Sequence, residues 1–224
     1  MSVNGKGTKA EIIERRPIGR FVKFRAVNLN GEVSRVAYPS QSIKYMDADR
    51  RDGTTIVFLK TGGQVHVQET ISEAANQWGQ REDVVRYERM LEPQDIRSLG
   101  IVLRAYDTTG IEVSSQDRFT VLVWTDYDAV FPVRGKFERV LEKASYCRPY
   151  AVLTKLETPL PVAIPLDTIT NVHESSRGGA TMVKTPTHTY MVSESVDETL
   201  AVIERATEAF NEAELARKTT SFAA

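Results

Sequence analysis

The sequence predicts an α+β protein built from tandem small antiparallel β-sheet modules, each followed by a capped α-helix. Three observations predict it. Val36-Ala37-Tyr38-Pro39-Ser40-Gln41-Ser42-Ile43 returns as Val162-Ala163-Ile164-Pro165-Leu166-Asp167-Thr168-Ile169, an offset of 126 residues (162 minus 36). Runs of β-branched and aromatic residues are separated by turn chemistry. An S/T-x-x-E capping box occurs twice at equivalent places. Self-similarity over this length sets the unit in which the chain must be read.

The first unit opens with Phe21 and Phe24, which belong to its first strand. Thr55-Ile56-Val57-Phe58-Leu59-Lys60 is a second β-type run, and Thr61-Gly62-Gly63-Gln64 is a turn. Gln64-Val65-His66-Val67-Gln68 alternates at period two, so the pair reads as a hairpin. Across that turn the offset falls to 125, and Val67, Glu69, Thr70 and Glu73 meet Val192, Glu194, Ser195 and Glu198. A one-residue deletion is what a hairpin loop tolerates. Thr70-Ile71-Ser72-Glu73 and Ser195-Val196-Asp197-Glu198 then start helices, the hydroxyl accepting from the N3 amide and the carboxylate from the cap amide. Ile71, Ala74, Ala75 and Trp78 form one apolar stripe, and Val196, Leu200, Ile203 and Phe210 the other.

Between these copies the same order of events recurs more faintly. Phe119–Trp124 is a strand, Thr125–Asp128 a break, Val130–Val133 a strand, and Phe137, Val140, Leu141 and Ala144 a helical stripe. Gly135 stands where a hydroxyl cap is expected, with Glu138 at the N3-like place, and Pro132 points to an edge strand. Pro93, Ile96, Leu99, Ile101 and Leu103 supply candidate earlier strands. The segment is either a divergent third copy or an unrelated insert. The expected organisation is a basic arm at 1–18, modules at 19–80, 81–146 and 147–212, and a polar tail at 213–224.

At 224 residues, 41% hydrophobic and 26% charged, the chain can build a sizeable core. It lacks an apolar run long enough to span a membrane and an apolar secretory leader, so the expected location is cytoplasmic, or the virion for an assembly subunit. Residues 1–25 carry Lys6, Lys9, Arg15, Arg16, Arg20, Lys23 and Arg25 against Glu11 and Glu14, or +5, while the whole chain is −1. Lys6, Lys9, Arg15, Arg16 and Arg20 are therefore the candidate partner-binding residues, suited to an anionic surface or nucleic acid.

Catalytic, cofactor and metal chemistry is not predicted. His66, His173 and His188 are scattered, and the lone Cys147 excludes an intrachain disulfide. The Gly62-Gly63 and Gly178-Gly179 pairs lie in turns rather than phosphate cradles. Asp47, Asp49 and Asp52 cluster before Gly53, but Leu59 occupies the place where a calcium loop needs Glu.

Asn30-Gly31, Ile43, Gly53-Thr54-Thr55-Ile56, Gly62–Val67, Glu69-Thr70 and Glu73, with Tyr190–Glu198 as partner, resemble the short swarming-motility proteins of bacterial flagellar operons. The resemblance implies strand hairpins closed by a Glu-Ser-x-x-Glu helix start, and an interaction module that offers no catalytic residues. The expected function is non-catalytic binding, as an adaptor, regulator or inhibitor acting on a protein partner or on copies of itself. The alternatives are a structural subunit of an assembly such as a phage particle, and a small-ligand or nucleic-acid binder.

Overall fold

Residues 21–49, 52–89, 99–175 and 180–221 are described by a computed structural model, and the order of their elements recurs three times. The first stretch is β1 (Phe21–Val27), β2 (Val33–Pro39), a 3-10 turn (Ser40–Ser42), β3 (Ile43–Ala48), β4 (Thr55–Leu59), β5 (Gln64–Val67) and α1 (Ile71–Gly79). The second is β6 (Val84–Arg89), β7 (Leu99–Arg104), a turn (Ala105–Asp107), β8 (Thr108–Val113), β9 (Thr120–Thr125), β10 (Val130–Arg134) and α2 (Phe137–Ser145). The third is β11 (Tyr150–Thr154), β12 (Pro161–Pro165), a turn (Leu166–Thr168), β13 (Asn171–Glu174), β14 (Thr181–Lys184), β15 (Thr189–Val192) and α3 (Val196–Ser221).

The strands nevertheless do not form one small sheet per copy. Twelve make a single antiparallel sheet in the order β11-β12-β8-β9-β10-β6-β7-β3-β4-β5-β1-β2, and β13-β14-β15 make a second. The α+β expectation of tandem sheets, each with its own helix, is corrected: the protein is mostly β and its main sheet is shared along the chain. Strand alternation marks which face of a strand is buried, but not whose edge it will pair with. Here β3 gives its outer edge to β7, and β8 gives its outer edge to β12.

Local chemistry accounts for the individual elements. In β9, Val121, Val123 and Thr125 are buried while Thr120, Leu122 and Trp124 are partly exposed, the period-two pattern of a half-buried strand. All six residues of β8 are buried, because it has a neighbour on both edges and packing on both faces. Asn28 shapes the β1–β2 turn, its side-chain oxygen accepting from the amides of Asn30 and Glu32 at 2.9 Å each. Gly62 takes φ +94 in the β4–β5 turn, a conformation that a side chain would strain. Val57 faces Val65 as Val183 faces Tyr190, so the one-residue change of offset falls in this turn.

Both capping boxes form. Glu73 N–H donates to Thr70 Oγ1 at 3.4 Å and Thr70 N–H to Glu73 Oε2 at 2.9 Å; Ser195 and Glu198 repeat this at 3.2 and 2.8 Å. In α2 the cap position is Lys136, which makes no side-chain cap, and Gly135 stands two residues after Val133 as Glu69 does after Val67. One further expectation is corrected. β10 is interior rather than an edge; Pro132 fits because only Val133 pairs with β6, at Arg89. Leu99, Ile101 and Leu103 lie in β7, an earlier strand of the middle stretch as expected; β6 precedes it, and positions 93 and 96 lie outside the described residues. Helix α3 continues through the polar segment from 213 as far as Ser221.

Among the described residues there are three buried clusters. One gathers Val22, Phe24, Ile43, Met46, Val57, Val67, Ile71 and Trp78, and takes Val102 from β7. The second centres on Tyr87, Ile101, Leu103, Ile111, Val121, Val123, Phe131 and Phe137, and takes Ala163 from β12. The third holds Leu153, Val162, Ile164, Val183, Tyr190 and Val192. Full burial of each such side chain stabilises by about 1.5–3 kcal/mol, so strands traded between clusters tie the three stretches into one body.

Candidate functional site

Successive stretches of the chain meet at two seams, β3 with β7 and β8 with β12. In the first, Tyr45 faces Leu103, Met46 faces Val102 and Asp47 faces Ile101. In the second, Ile111 faces Ala163 and Glu112 faces Val162. Both obey one rule. The residue six after the start of a 3-10 turn (Met46, Ile111) pairs with the residue three before the start of the next turn (Val102, Ala163). A register shift lies at the same place in each seam strand, between Ile43 and Tyr45 and between Thr108 and Gly110.

Each seam also carries a carboxylate–cation pair at equivalent positions. Arg89 pairs with Asp47 in the first, and Lys155 Nζ lies 2.8 Å from Glu112 Oε2 in the second. Arg89 and Lys155 are equivalent, since Val133 faces Arg89 as Val192 faces Lys155. Aromatic rings complete both seams. Tyr45 stacks on Phe58 at 4.3 Å and meets the Phe131 ring edgewise at 5.0 Å, with Lys44 over the Tyr127 ring. Trp124 meets His188 edgewise at 4.8 Å, and Tyr190 Oη donates to Thr109 O at 3.4 Å. Gly110 permits that approach, because a Cβ there would overlap Tyr190 Oη. Buried Arg148 clamps the second seam, donating to the carbonyls of Ala105, Tyr106 and Thr108 and to Asp167.

The same strands end unpaired at the two extremes. Among the described residues nothing pairs with the outer edge of β2, the counterpart of β7 and β12, or with that of β13, the counterpart of β3 and β8. Burial follows pairing. Ile101, Val102 and Leu103 in β7 and Val162, Ala163 and Ile164 in β12 are buried, whereas Val36 and Tyr38 in β2 are partly exposed and Ala37 is exposed. In β13, Val172 and His173 are partly exposed, and His173 Nδ1 is buried without a hydrogen-bond partner among the described residues. A strand edge with unpaired amides and carbonyls is a template for another chain.

The remaining candidates are otherwise engaged. Asp47 pairs with Arg89, Asp49 lies 3.3 Å from His66 Nδ1, and Asp52 accepts from Thr54, so the aspartates do not converge on a cation. Among the described residues no group of three or more His, Cys, Asp or Glu side chains is placed to hold a metal. Burial pushes the Cys147 thiol up, which leaves it protonated and a poor nucleophile. Burial likewise raises Tyr87, Tyr127, Tyr150 and Tyr190, so these phenols are neutral. Lys6, Lys9, Arg15, Arg16 and Arg20, named from the sequence as partner-binding residues, lie outside the described residues, as do Gly178 and Gly179. No helix among the described residues is long and apolar enough to cross a membrane. Sheet edges are expected from the sequence as surfaces for a partner, but not which strands hold them, because only pairing, and not composition, distinguishes Val36-Ala37-Tyr38 from Val162-Ala163-Ile164. No family model, curated protein or solved structure matches the chain.

Proposed function

We propose that this chain is a non-catalytic binding protein, an adaptor, regulator or inhibitor, that engages a macromolecular partner by strand addition at its open edges. The observation that carries the reading is the contrast between β2 and β13, each with one side unpaired among the described residues, and their counterparts, which are paired at both seams. The resemblance of the repeated segments to an interaction module supports it. Capture from native lysate tests it, with the wild-type chain compared with an edge variant such as Ala37→Lys. Loss of the captured partner in the folded variant is expected, and unchanged capture would contradict the reading. A second reading, a structural subunit of a larger assembly such as a phage particle, is favoured by one observation: the chain already joins three stretches edge to edge in a fixed register.

A further inference from the structure

We propose that copies of this chain join head to tail, β13 of one copy adding to the open edge of β2 in the next in the register already used at both seams. The proposal rests on the reading of the edges as binding surfaces, and it names their partner as a second copy.

The register follows from the seam rule. Applied to the turns that begin at Leu166 and Ser40, it sets Val172 opposite Ala37, Asn171 opposite Tyr38 and His173 opposite Val36. Glu174 then falls opposite Arg35. Both are exposed, and neither has an ion-pair partner among the described residues. At the same step the seams carry Ala48 with Gly100 and Val113 with Pro161, which are uncharged. Opposite charges directly across an antiparallel pair stabilise it, so the two extremes of the molecule are complementary where the seams have no need to be.

The edges are open to such a partner. Helix α3 packs on β13 as α1 packs on β3, and α1 leaves the outer edge of β3 free for β7. β13 and β2 of one chain do not pair with each other, so the two edges are left for other copies. A contact between unlike surfaces propagates into a closed ring or an open filament.

The joint is lighter than a seam. The place of Arg89 and Lys155 is taken in β1 by Ala26, which faces Val67, and the place of Asp47 and Glu112 is taken by His173. The aromatic positions of Tyr45, Phe58 and Phe131 hold Asn171, Lys184 and Val65. The joint between copies therefore relies on backbone pairing, Val172, Val36 and Tyr38, and the Glu174–Arg35 pair, and it is reversible.

Cysteine cross-linking tests the register. The natural Cys147 is the single cysteine, so the background is Cys147→Ser. Ala37→Cys with Val172→Cys places two thiols directly opposite, at a Cα separation of about 4.5–5.5 Å that a disulfide spans. Mild oxidation is expected to give a ladder of covalent oligomers. Ala37→Cys with Asn171→Cys, slipped by one residue and so on opposite faces, is expected to give little. In sedimentation, Arg35→Glu is expected to weaken self-association about fivefold, and Arg35→Glu with Glu174→Arg to restore it. A ladder from the slipped pair, or a wild-type chain that stays monomeric at high concentration, would overturn the proposal. If that monomer still loses another protein when β2 is altered, self-joining fails while the edge reading stands; if edge variants change no association, both fail.

Discussion

Gly110 and Tyr190 meet across the second seam, where the missing Cβ of the glycine makes room for the phenol oxygen that donates to Thr109 O. This is a packing relationship between two stretches of chain eighty residues apart. It explains why a glycine sits in the middle of a fully buried strand, where its backbone freedom is otherwise a cost.

Gly110→Ala is expected to destabilise the protein by about 1–3 kcal/mol, because Tyr190 must leave its position and the seam must shift. Tyr190→Phe removes the overlapping oxygen. The double variant is therefore expected to be more stable than the sum of the two single changes, read by urea unfolding as a double-mutant cycle. Strict additivity would separate the two residues energetically.

Lys155→Met leaves the Glu112 carboxylate, on a side chain 10% exposed, without its cation in the second seam. A loss of about 3 kcal/mol is expected, since removing one partner of a buried pair strands the other charge. Lys155→Met combined with Glu112→Leu is expected to recover most of it. A single variant as stable as wild type would show the pair to be solvated.

Glu69 closes the first stretch from within. Its side chain is buried, and its two oxygens accept from the Arg25 amide at 3.2 Å each and from Arg25 Nε at 3.1 Å. Glu194 repeats this on the Thr154 amide at 2.9 and 3.1 Å. Glu69→Ala is expected to cost about 1–3 kcal/mol through an unsatisfied amide. The direct readout is faster hydrogen exchange at Arg25, with Thr154 unchanged.

The helix starts add a pH dependence. Hydrogen bonds from the Thr70 amide and hydroxyl hold Glu73 below its ordinary value, and Ser195 does the same for Glu198. A carboxyl lowered in the folded state contributes stability above its unfolded pKa, and that contribution is lost as pH falls through the folded one. Thr70→Ala is expected to cost about 1 kcal/mol near neutrality, and somewhat less once Glu73 protonates and its bond from the hydroxyl weakens. An effect constant from neutral to strongly acidic pH would assign the whole loss to the bond from the Glu73 amide to the Thr70 hydroxyl and none to the carboxylate.

Much of this was legible in the sequence, for local reasons. The capping boxes, the Gly62 turn and the recurrence of Val36–Ile43 at Val162–Ile169 depend on residues close together in the chain, so they could be read directly. β6 was missed because Val84-Val85-Arg86-Tyr87-Glu88-Arg89 is rich in charge, and the nine residues between it and β7, its partner along its whole length, exceed a short hairpin turn. The continuous sheet was missed because Met46 meets Val102 only where two edges match in space. The third copy was faint because Gly135 and Lys136 replace the Glu-Thr and Glu-Ser signals that mark the other two helix starts.

Hydrogen exchange at two protein concentrations tests the role of the open edges most directly. Peptides covering β2 (33–39) and β13 (171–174) are expected to gain protection together as concentration rises, while the seam strands β7 and β8 stay protected throughout. Exchange in β2 and β13 that is fast and independent of concentration, or protection that appears in one edge without the other, would contradict the account.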